Sequence, residues 1–416
     1  MNKKHCSLLT ISILFACNAH SAGFQVAEHS ASGLGRAFSG EGAVADNASV
    51  LARNPAAMTL FKEAQFSGAL SIIDPEVDVY DTVNKEHAKD VAPPLQVVPA
   101  GYYISPINDN WAWGIGMFTT YGVATDYPDD ISAGDMAGDT SLLSVNINPN
   151  VAYRINESFS VGGGINLVYA EAELTRHKGA LAGILGGNKS DNLVGMEGET
   201  FAWGGWNIGA LYELNENNRF GFGYRSKVDL DFDDGEFSSY DSGRAPSPKV
   251  DGRLKISLPS IIELSAFHQL NEQWAVHYGW QQTDWSTFKE LKATSPQCND
   301  GTAGQCFYKP EKYEDNNRYS IGATYTLNAD WTFRAGFAYD EQAGEATLSI
   351  PDSDRFWYSA GLTYAMNENL TFDAGFALVK SKSGSFTETN AQDEEIKFDS
   401  EGTAYISAVQ MNYTFK

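Results

Sequence analysis

Few residues in this chain have the types and spacing that chemistry needs. Asp229, Asp231 and Asp233 in "DLDFDDG" (229–235) alternate as the oxygen ligands of a calcium loop do. The glycine falls one place late, and Tyr240 stands where the closing glutamate belongs. Their alternation with Leu230 and Phe232 fits a strand leaving an apolar layer better, with at most loose divalent-cation binding. Cys298 and Cys306 lie in the polar stretch "SPQCNDGTAGQC", where Gly301 and Gly304 let a loop close. Two cysteines without a neighbouring histidine make half a metal site, so a loop disulfide is favoured over two free thiols. The seven histidines are scattered, and none pairs with a serine and an acid at readable spacing. Neither G-x-S-x-G nor H-E-x-x-H occurs. "GLGRAF" (33–38) approaches a dinucleotide fingerprint but lacks its third glycine and a preceding strand. These residues point away from an enzyme, and no metal or cofactor is expected.

Any site must then be positioned by strands. Six short segments share one chemistry: "INDNW" (107–111), "INESF" (155–159), "LNENNRF" (214–220), "LNEQW" (270–274), "LNADW" (327–331) and "MNENL" (366–370). Each places asparagine after an apolar residue and ends on a large apolar one. Asparagine bonds its own turn and tolerates left-handed backbone, so these are tight turns. Period-two alternation runs into and out of them. After one turn Trp331, Phe333, Ala335, Phe337 and Tyr339 share a face, opposite Thr332, Arg334, Gly336, Ala338 and Asp340. After another, Leu370, Phe372, Ala374, Phe376 and Leu378 oppose Thr371, Asp373, Gly375 and Ala377.

Long acidic connections such as "DYPDDISAGDMAGD" (126–139) join the other ends of the strands. Six turns separate seven hairpins, which predicts 14 antiparallel strands with both termini on the short-turn side. Short turns on one side and long loops on the other are the asymmetry of an all-β outer-membrane barrel. A soluble sandwich would alternate too, but it has no reason to place aromatic residues so regularly at strand ends. Tyr102, Tyr103, Trp111, Trp113, Trp274, Trp331, Trp357 and Tyr413 are expected in the interfacial girdles. Arg334, Asp340 and Asp373 are expected to pair inside the lumen.

Residues 1–21 read as an export signal. Lys3 and Lys4 precede the apolar run Leu8–Ala16, and the small residues Ala19 and Ser21 precede a cut that leaves Ala22 first. Losing those two lysines takes the formal charge from −24 to −26. Cys17 in "LFAC" offers a rival lipoprotein cut, for which Phe15 is a poor fit. Cys6 and Cys17 leave with the signal in the first reading. So acidic a chain makes nucleic acid a poor partner. Past the signal no apolar run approaches the ~20 residues of a membrane helix.

Residues 22–63 precede the first strand and do not read as sheet. "SASGLGRAFSGEGAVADNASVLARNPAAM" (30–58) is rich in small residues and suits close packing inside a tube. Asn54 can cap a helical turn that Pro55 starts. Low charge and the apolar Leu51, Met58, Leu60 and Phe61 argue against a disordered tail. A barrel of this size is too wide for its own side chains to fill, so the segment is expected to plug it.

That segment, "AGFQVAEHSASGLGRAFSGEGAVADNASVLARNPAAM" (22–58), closely resembles the plug of the FadL family of outer-membrane long-chain fatty acid transporters. Resemblance continues in "PINDNWAWGIGMFTTYGVATDY", "LYELNENNRFGFGYRS", "DWTFRAGFAYD" and "IPDSDRFWYSAGLTYA", and covers nearly all of the mature chain. It implies a plug over 22–63 carrying the signature Asn54-Pro55-Ala56, and a 14-stranded barrel over 64–416. It implies passive uptake. Substrate meets a low-affinity groove at the outer loops, then a deeper pocket, and leaves sideways at an inward kink in the third strand. The kink matches "FTTYGVATDY", with Gly122 inside it, and Phe24 matches the plug phenylalanine that reaches it. Arg176 in "AELTRHKG" and Lys309 in "CFYKPEKY" match the basic residues that meet the carboxylate. Gly209 in "WNIGALYEL" matches a glycine on which transport depends.

The implied partners are long-chain fatty acids, the surrounding outer-membrane lipid and lipopolysaccharide, and phage at the extracellular loops. A monomer is expected. Aromatic or other hydrophobic compounds are the alternative cargo, and outer-membrane lipid hydrolysis is the alternative from the enzyme class.

Overall fold

The computed structural model describes residues 23–239, 250–299 and 302–416. The export signal with its cysteines, and Tyr240 of the acidic stretch, lie outside the described residues.

Alternating sequence folds into one ring of strands. In chain order these are β1 (Ala64–Asp81), β2 (Gln96–Pro106), β3 (Trp111–Phe118), β4 (Thr140–Arg154), β5 (Phe159–His177), β6 (Asn192–Asn215) and β7 (Asn218–Arg225). There follow β8 (Ile261–Gln269), β9 (Trp274–Thr283), β10 (Asn316–Thr326), β11 (Trp331–Asp340), β12 (Arg355–Ala365), β13 (Leu370–Ser381) and β14 (Glu395–Phe415). Each pairs antiparallel with the next. β14 closes on β1, from Ala64 opposite Phe415 to Asp81 opposite Phe398. A closed ring leaves no strand edge, which a bilayer without water to satisfy it demands.

The six tight turns form as their asparagines suggest. Oδ1 of Asn108, Asn271, Asn328 and Asn367 each accepts two backbone N–H groups of its own turn at 2.9 to 3.0 Å. Asn156 and Asn215 accept one backbone N–H each. At the opposite end two hairpins rise beyond the ring, Val228–Ser239 with Val250–Leu258 and Glu290–Asn299 with Ala303–Pro310. Asp229 and Asp233 are ion-paired in the first of these, Asp229 with Lys227 and Lys255 and Asp233 with Arg253.

Alternation sorts the two faces. In β3, Trp111, Trp113, Ile115 and Met117 are exposed while Ala112, Gly114, Gly116 and Phe118 are buried. Two girdle expectations fail on that parity. Tyr102 and Tyr103 are adjacent, so they cannot share a face, and it is Tyr102 that turns inward to donate to the His29 carbonyl at 3.0 Å. Trp357 also faces inward, with the Arg318 guanidinium 4.4 Å over its ring.

Residues 23–63 occupy the space that the ring encloses. They fold into short pieces: α1 (Ala31–Leu34), α2 (Glu41–Val44) and two 3-10 turns, Ala48–Ala52 and Pro55–Leu60. The Ala31 amide donates to Gln410 Oε1 on β14, and the Gly42 amide to Ser265 Oγ on β8. The Ala48 amide donates to Ser67 Oγ on β1, and Asn54 Nδ2 to the Ala210 carbonyl on β6. A segment that touches strands all round the ring and is almost wholly buried lies in the lumen. Charges tie it there. Asp46 is shared by Arg36 and by Arg334 of β11, both at 2.9 Å, and Arg334 also lies 3.7 Å from Asp373. Asp340 pairs with Arg318 at 3.1 Å. Buried pairs of this kind cost most when one partner is removed and the other is stranded.

Candidate binding site and strand kink

The lumen is not filled to its outer end. Beyond the plug lies an apolar cavity, lined among others by Phe24, Leu142, Leu174, Met196, Phe232 and Ile350. Its walls come from β4 to β6, the two outer hairpins and the loop 341–354.

At its rim the structure brings together two residues far apart in the chain. Arg176, at the end of β5, donates from Nη2 to Ser349 Oγ at 2.7 Å. Lys309 Nζ donates to the same hydroxyl at 3.3 Å. Arg176 is buried, and its other bonds go to neutral oxygens of Asp139, Thr140 and Thr175. Among the described residues it is in no ion pair. Lys309 has carboxylates at hand, Glu388 at 3.3 Å and Glu311 at 3.8 Å. Glu311 is buried, and among the described residues neither of its carboxyl oxygens has a hydrogen-bond partner. Burial pushes its carboxyl up from the ordinary value against the pull of Lys309, and Glu388 adds to the rise.

Ser349, Glu311 and Glu388 carry no periodicity or motif that sequence reasoning could have used. The one signal was Glu311 standing two places after Lys309 in "CFYKPEKY". Chemically, the arrangement is an apolar cavity ending in two cations and a hydroxyl. It suits a molecule with an alkyl body and an anionic head. Burying the body contributes about 0.8 kcal/mol per CH₂, and charge-assisted hydrogen bonds orient the head.

Phe24 forms part of the cavity wall from the plug side. Its ring centroid lies 4.5 Å from Trp285, 5.2 Å from Phe288 and 6.0 Å from Tyr121. Its backbone pairs with the third strand's continuation. The Gly122 amide donates to the Phe24 carbonyl at 2.9 Å, and the Val26 amide to the Thr120 carbonyl at 2.8 Å. The same loop that carries Ser349 holds the start of this segment, because the Gly23 amide donates to Asp352 Oδ2 at 2.9 Å.

The ladders show why the wall bends there. β3 pairs with β4 as far as Phe118 opposite Asn146, and pairing resumes at Gly122 opposite Leu143 in the short strand Gly122–Thr125. Thr119, Thr120 and Tyr121 thus face only Ser144 and Val145, and the extra residue forces a bulge. On the other side the β2–β3 ladder ends at Gly101 opposite Met117. The bulged residues are drawn inward onto Phe24, Gln25 and Val26.

The remaining predicted residues form a second group, nearer the short turns. Asn54 Oδ1 accepts the Ala56 amide at 3.1 Å, capping the turn that Pro55 opens. Asn54 Nδ2 donates to the carbonyls of Gly42 and Ala210. Gly209 on β6 faces this turn so closely that a β-carbon there would collide with Asn54 Oδ1 and lie 2.9 Å from Pro55 Cδ. One at Gly162 on β5 would lie 2.7 Å from the Ala56 nitrogen. The wall is glycine here so that the plug backbone can lie against it. Cys298 and Cys306 are joined as a disulfide in the second outer hairpin, with Cα atoms 4.9 Å apart. Cys306 packs among the buried residues that surround the cavity.

A family model described as outer membrane protein transport protein (OMPP1/FadL/TodX) matches residues 12–415. The chain belongs to this FadL-type family. It is 38% identical over 450 residues to a long-chain fatty acid transport protein of Escherichia coli K12, covering 98% of both chains. It is 37% identical over 466 residues to outer membrane protein P1 of Haemophilus influenzae, covering 100% of both. Among solved structures, a FadL homologue of Pseudomonas aeruginosa superposes with a TM-score of 0.81 at 21% identity, over 95% of this chain and 100% of that one. The toluene transporter TodX of Pseudomonas putida gives 0.70 at 18% identity, over 96% and 99%. These two likenesses speak for the FadL fold. FadL-type membership makes this an outer-membrane transport barrel for hydrophobic substrates, in a family of channels rather than enzymes.

Proposed function

We propose that this FadL-type barrel is a passive channel for long-chain fatty acids. The observation that carries the reading is the convergence of Arg176 and Lys309 on Ser349 at the rim of an apolar cavity that Phe24 helps to enclose. The carboxylate would take the place of internal oxygens on the two cations while the tail fills the cavity. The loop 341–354 then links the head-group end to the plug, through Ser349 to the cations and through Asp352 to Gly23. Phe24 links the plug to the bulge at Gly122. A ligand that shifts either contact biases the closed arrangement toward one with a lateral exit into the membrane, and nothing in this scheme consumes energy.

In this reading residues 1–21 are a cleaved export signal, 22–63 the plug with Asn54-Pro55-Ala56, and 64–416 the barrel. The protein acts as a monomer. Its long loops face outward among lipopolysaccharide, where phage can meet them. The relatives named as long-chain fatty acid transport proteins support this cargo. The toluene transporters among its structural neighbours keep aromatic compounds as the second reading, against which stand two cations that a hydrocarbon would not use. The test is uptake of labelled oleate by cells lacking their own transporter, with and without this gene, and with excess toluene. Uptake that depends on the gene and resists toluene is expected. Uptake independent of the gene overturns the reading.

A further inference from the structure

A second buried cationic site lies beside the bulge, apart from the apolar cavity. It is a small cavity whose lining includes Gln25, His29, Arg53, Thr120, Asn207 and Arg225. Gln25, His29 and Arg53 belong to the plug, Thr120 to the bulge itself, and Arg225 to the end of β7. Arg225 is buried and bonded only to neutral oxygens, Asn166 Oδ1 and the Ala52 carbonyl, the latter at 2.7 Å. Its guanidinium lies 5.0 Å over the ring of Phe118, the last residue of β3 before the bulge. Among the described residues Arg225 is in no ion pair.

Two further lining donors, Arg53 Nε and Thr120 Oγ1, are buried without a partner among the described residues. The lining holds one carboxylate, Glu263, and it is engaged by Arg53 Nη1 at 3.3 Å and by Ser265 Oγ at 2.9 Å. Two guanidiniums against one carboxylate leave the cavity positive. Buried donors left unmade are costly, so such a site is built for an occupant that accepts hydrogen bonds.

We propose that this cavity takes the carboxylate of a fatty acid in transit between the Arg176–Lys309 rim and the bulge. The inference rests on the fatty acid reading above. Phe24, with aromatic rings around it, lines the apolar cavity and the next residue, Gln25, lines the second one, and a charged head passing such rings without a second partner would stall. Arg225 and Thr120 supply that partner at the point where the wall is broken. An uncharged alcohol of equal length can accept a hydrogen bond there equally well from a neutral donor, and gains nothing from the guanidinium charge.

The test compares oleate with oleyl alcohol, which has the same chain and no carboxylate. The full-length Arg225→Gln variant is expressed in cells lacking their own transporter, with barrel folding checked by heat-modifiable migration. Losing a charge-assisted contact should lower oleate uptake roughly tenfold and leave oleyl alcohol uptake unchanged. Equilibrium binding of oleate to the purified variant should stay at the wild-type level, because the rim is untouched. Arg225→Lys should keep most of the uptake. Thr120→Val, which disturbs no charge, should lower oleate uptake by a smaller factor and again spare the alcohol. A parallel fall for both probes would mean that Arg225 only braces the plug through Ala52, and would overturn the proposal. Undiminished oleate uptake in Arg225→Gln would overturn it as well while leaving the fatty acid reading intact. Absence of oleate uptake by the wild-type protein would instead sink that reading and this one together.

Discussion

The amide of Gly122 is bonded to the carbonyl of Phe24 at 2.9 Å, so the bulge in the barrel wall and a ring of the binding cavity share a backbone contact. Neither can move far alone. The contact exists because β3 carries one residue too many between Phe118 and Gly122, and the surplus is spent inward against the plug.

Phe24→Ala should separate the two. The ring is 2% exposed and sits against three aromatic side chains, so its truncation removes about 3–5 kcal/mol of local packing. Amides of Val26 and Gly122 should then exchange hydrogen far faster than in the native protein, while those of β10 to β13 keep their protection. Equal protection at Val26 and Gly122 in variant and wild type would show that Phe24 does not hold the plug to the bulge.

Arg176→Ala combined with Lys309→Ala should weaken oleate binding by about 100-fold or more, since each charge-assisted bond is worth roughly 1.5–3 kcal/mol. Ser349→Ala should cost less, because both cations survive it. Binding of toluene should be unaffected in all three. Isothermal titration of the purified proteins decides the matter, and an unchanged oleate affinity in the double variant would remove these residues from the site.

Glu311 gives the site a pH dependence of definite sign. It faces Lys309, Glu388, Arg176 and Tyr313, and burial raises its pKa from the ordinary 4.5. As pH falls through the raised value it takes up a proton, and a negative charge beside Lys309 disappears. Oleate affinity should therefore rise as pH falls through that raised value. The native form also binds this proton more tightly than the unfolded chain, so its contribution to stability is lost as pH rises from 4.5 through the raised value. Glu311→Gln should bind oleate more tightly than wild type above the raised value and lose most of the pH response. A variant whose pH profile matches wild type would place the response elsewhere.

Strands and turns were legible because their signals are local. An asparagine that caps its own turn, or a residue that alternates with its neighbour, needs no distant information. The two girdle misplacements mark where that stops. Parity puts Tyr102 inside once Tyr103 is outside, but it does not say which of them faces lipid. Arg176 and Lys309 were reached through family resemblance, and no spacing rule would have joined them. Their meeting point, Ser349, sits in a loop without period. The kink at "FTTYGVATDY" was likewise reached only through the resemblance, for a different reason. It is a mismatch between two ladders, three residues against two, and only paired strands reveal a count of that kind.

Gly209 and Asn54 offer the sharpest test of the plug, because they can be uncoupled. Gly209→Ala places a methyl where Asn54 Oδ1 already stands, so the turn at Pro55 must shift while the outward face of β6 is unchanged. Oleate uptake should fall several-fold and the barrel should still fold, as its ladder bonds are intact. Asn54→Ala loses the cap on Ala56 and the bonds to Gly42 and Ala210, and should also lower uptake. With the Asn54 oxygen gone, the added methyl meets mainly Pro55 Cδ at 2.9 Å, a contact that a loosened turn can relieve. The double variant should then transport about as well as Asn54→Ala alone, a non-additivity expected only of residues in contact. Strictly additive losses would mean that the two positions act on uptake by separate routes.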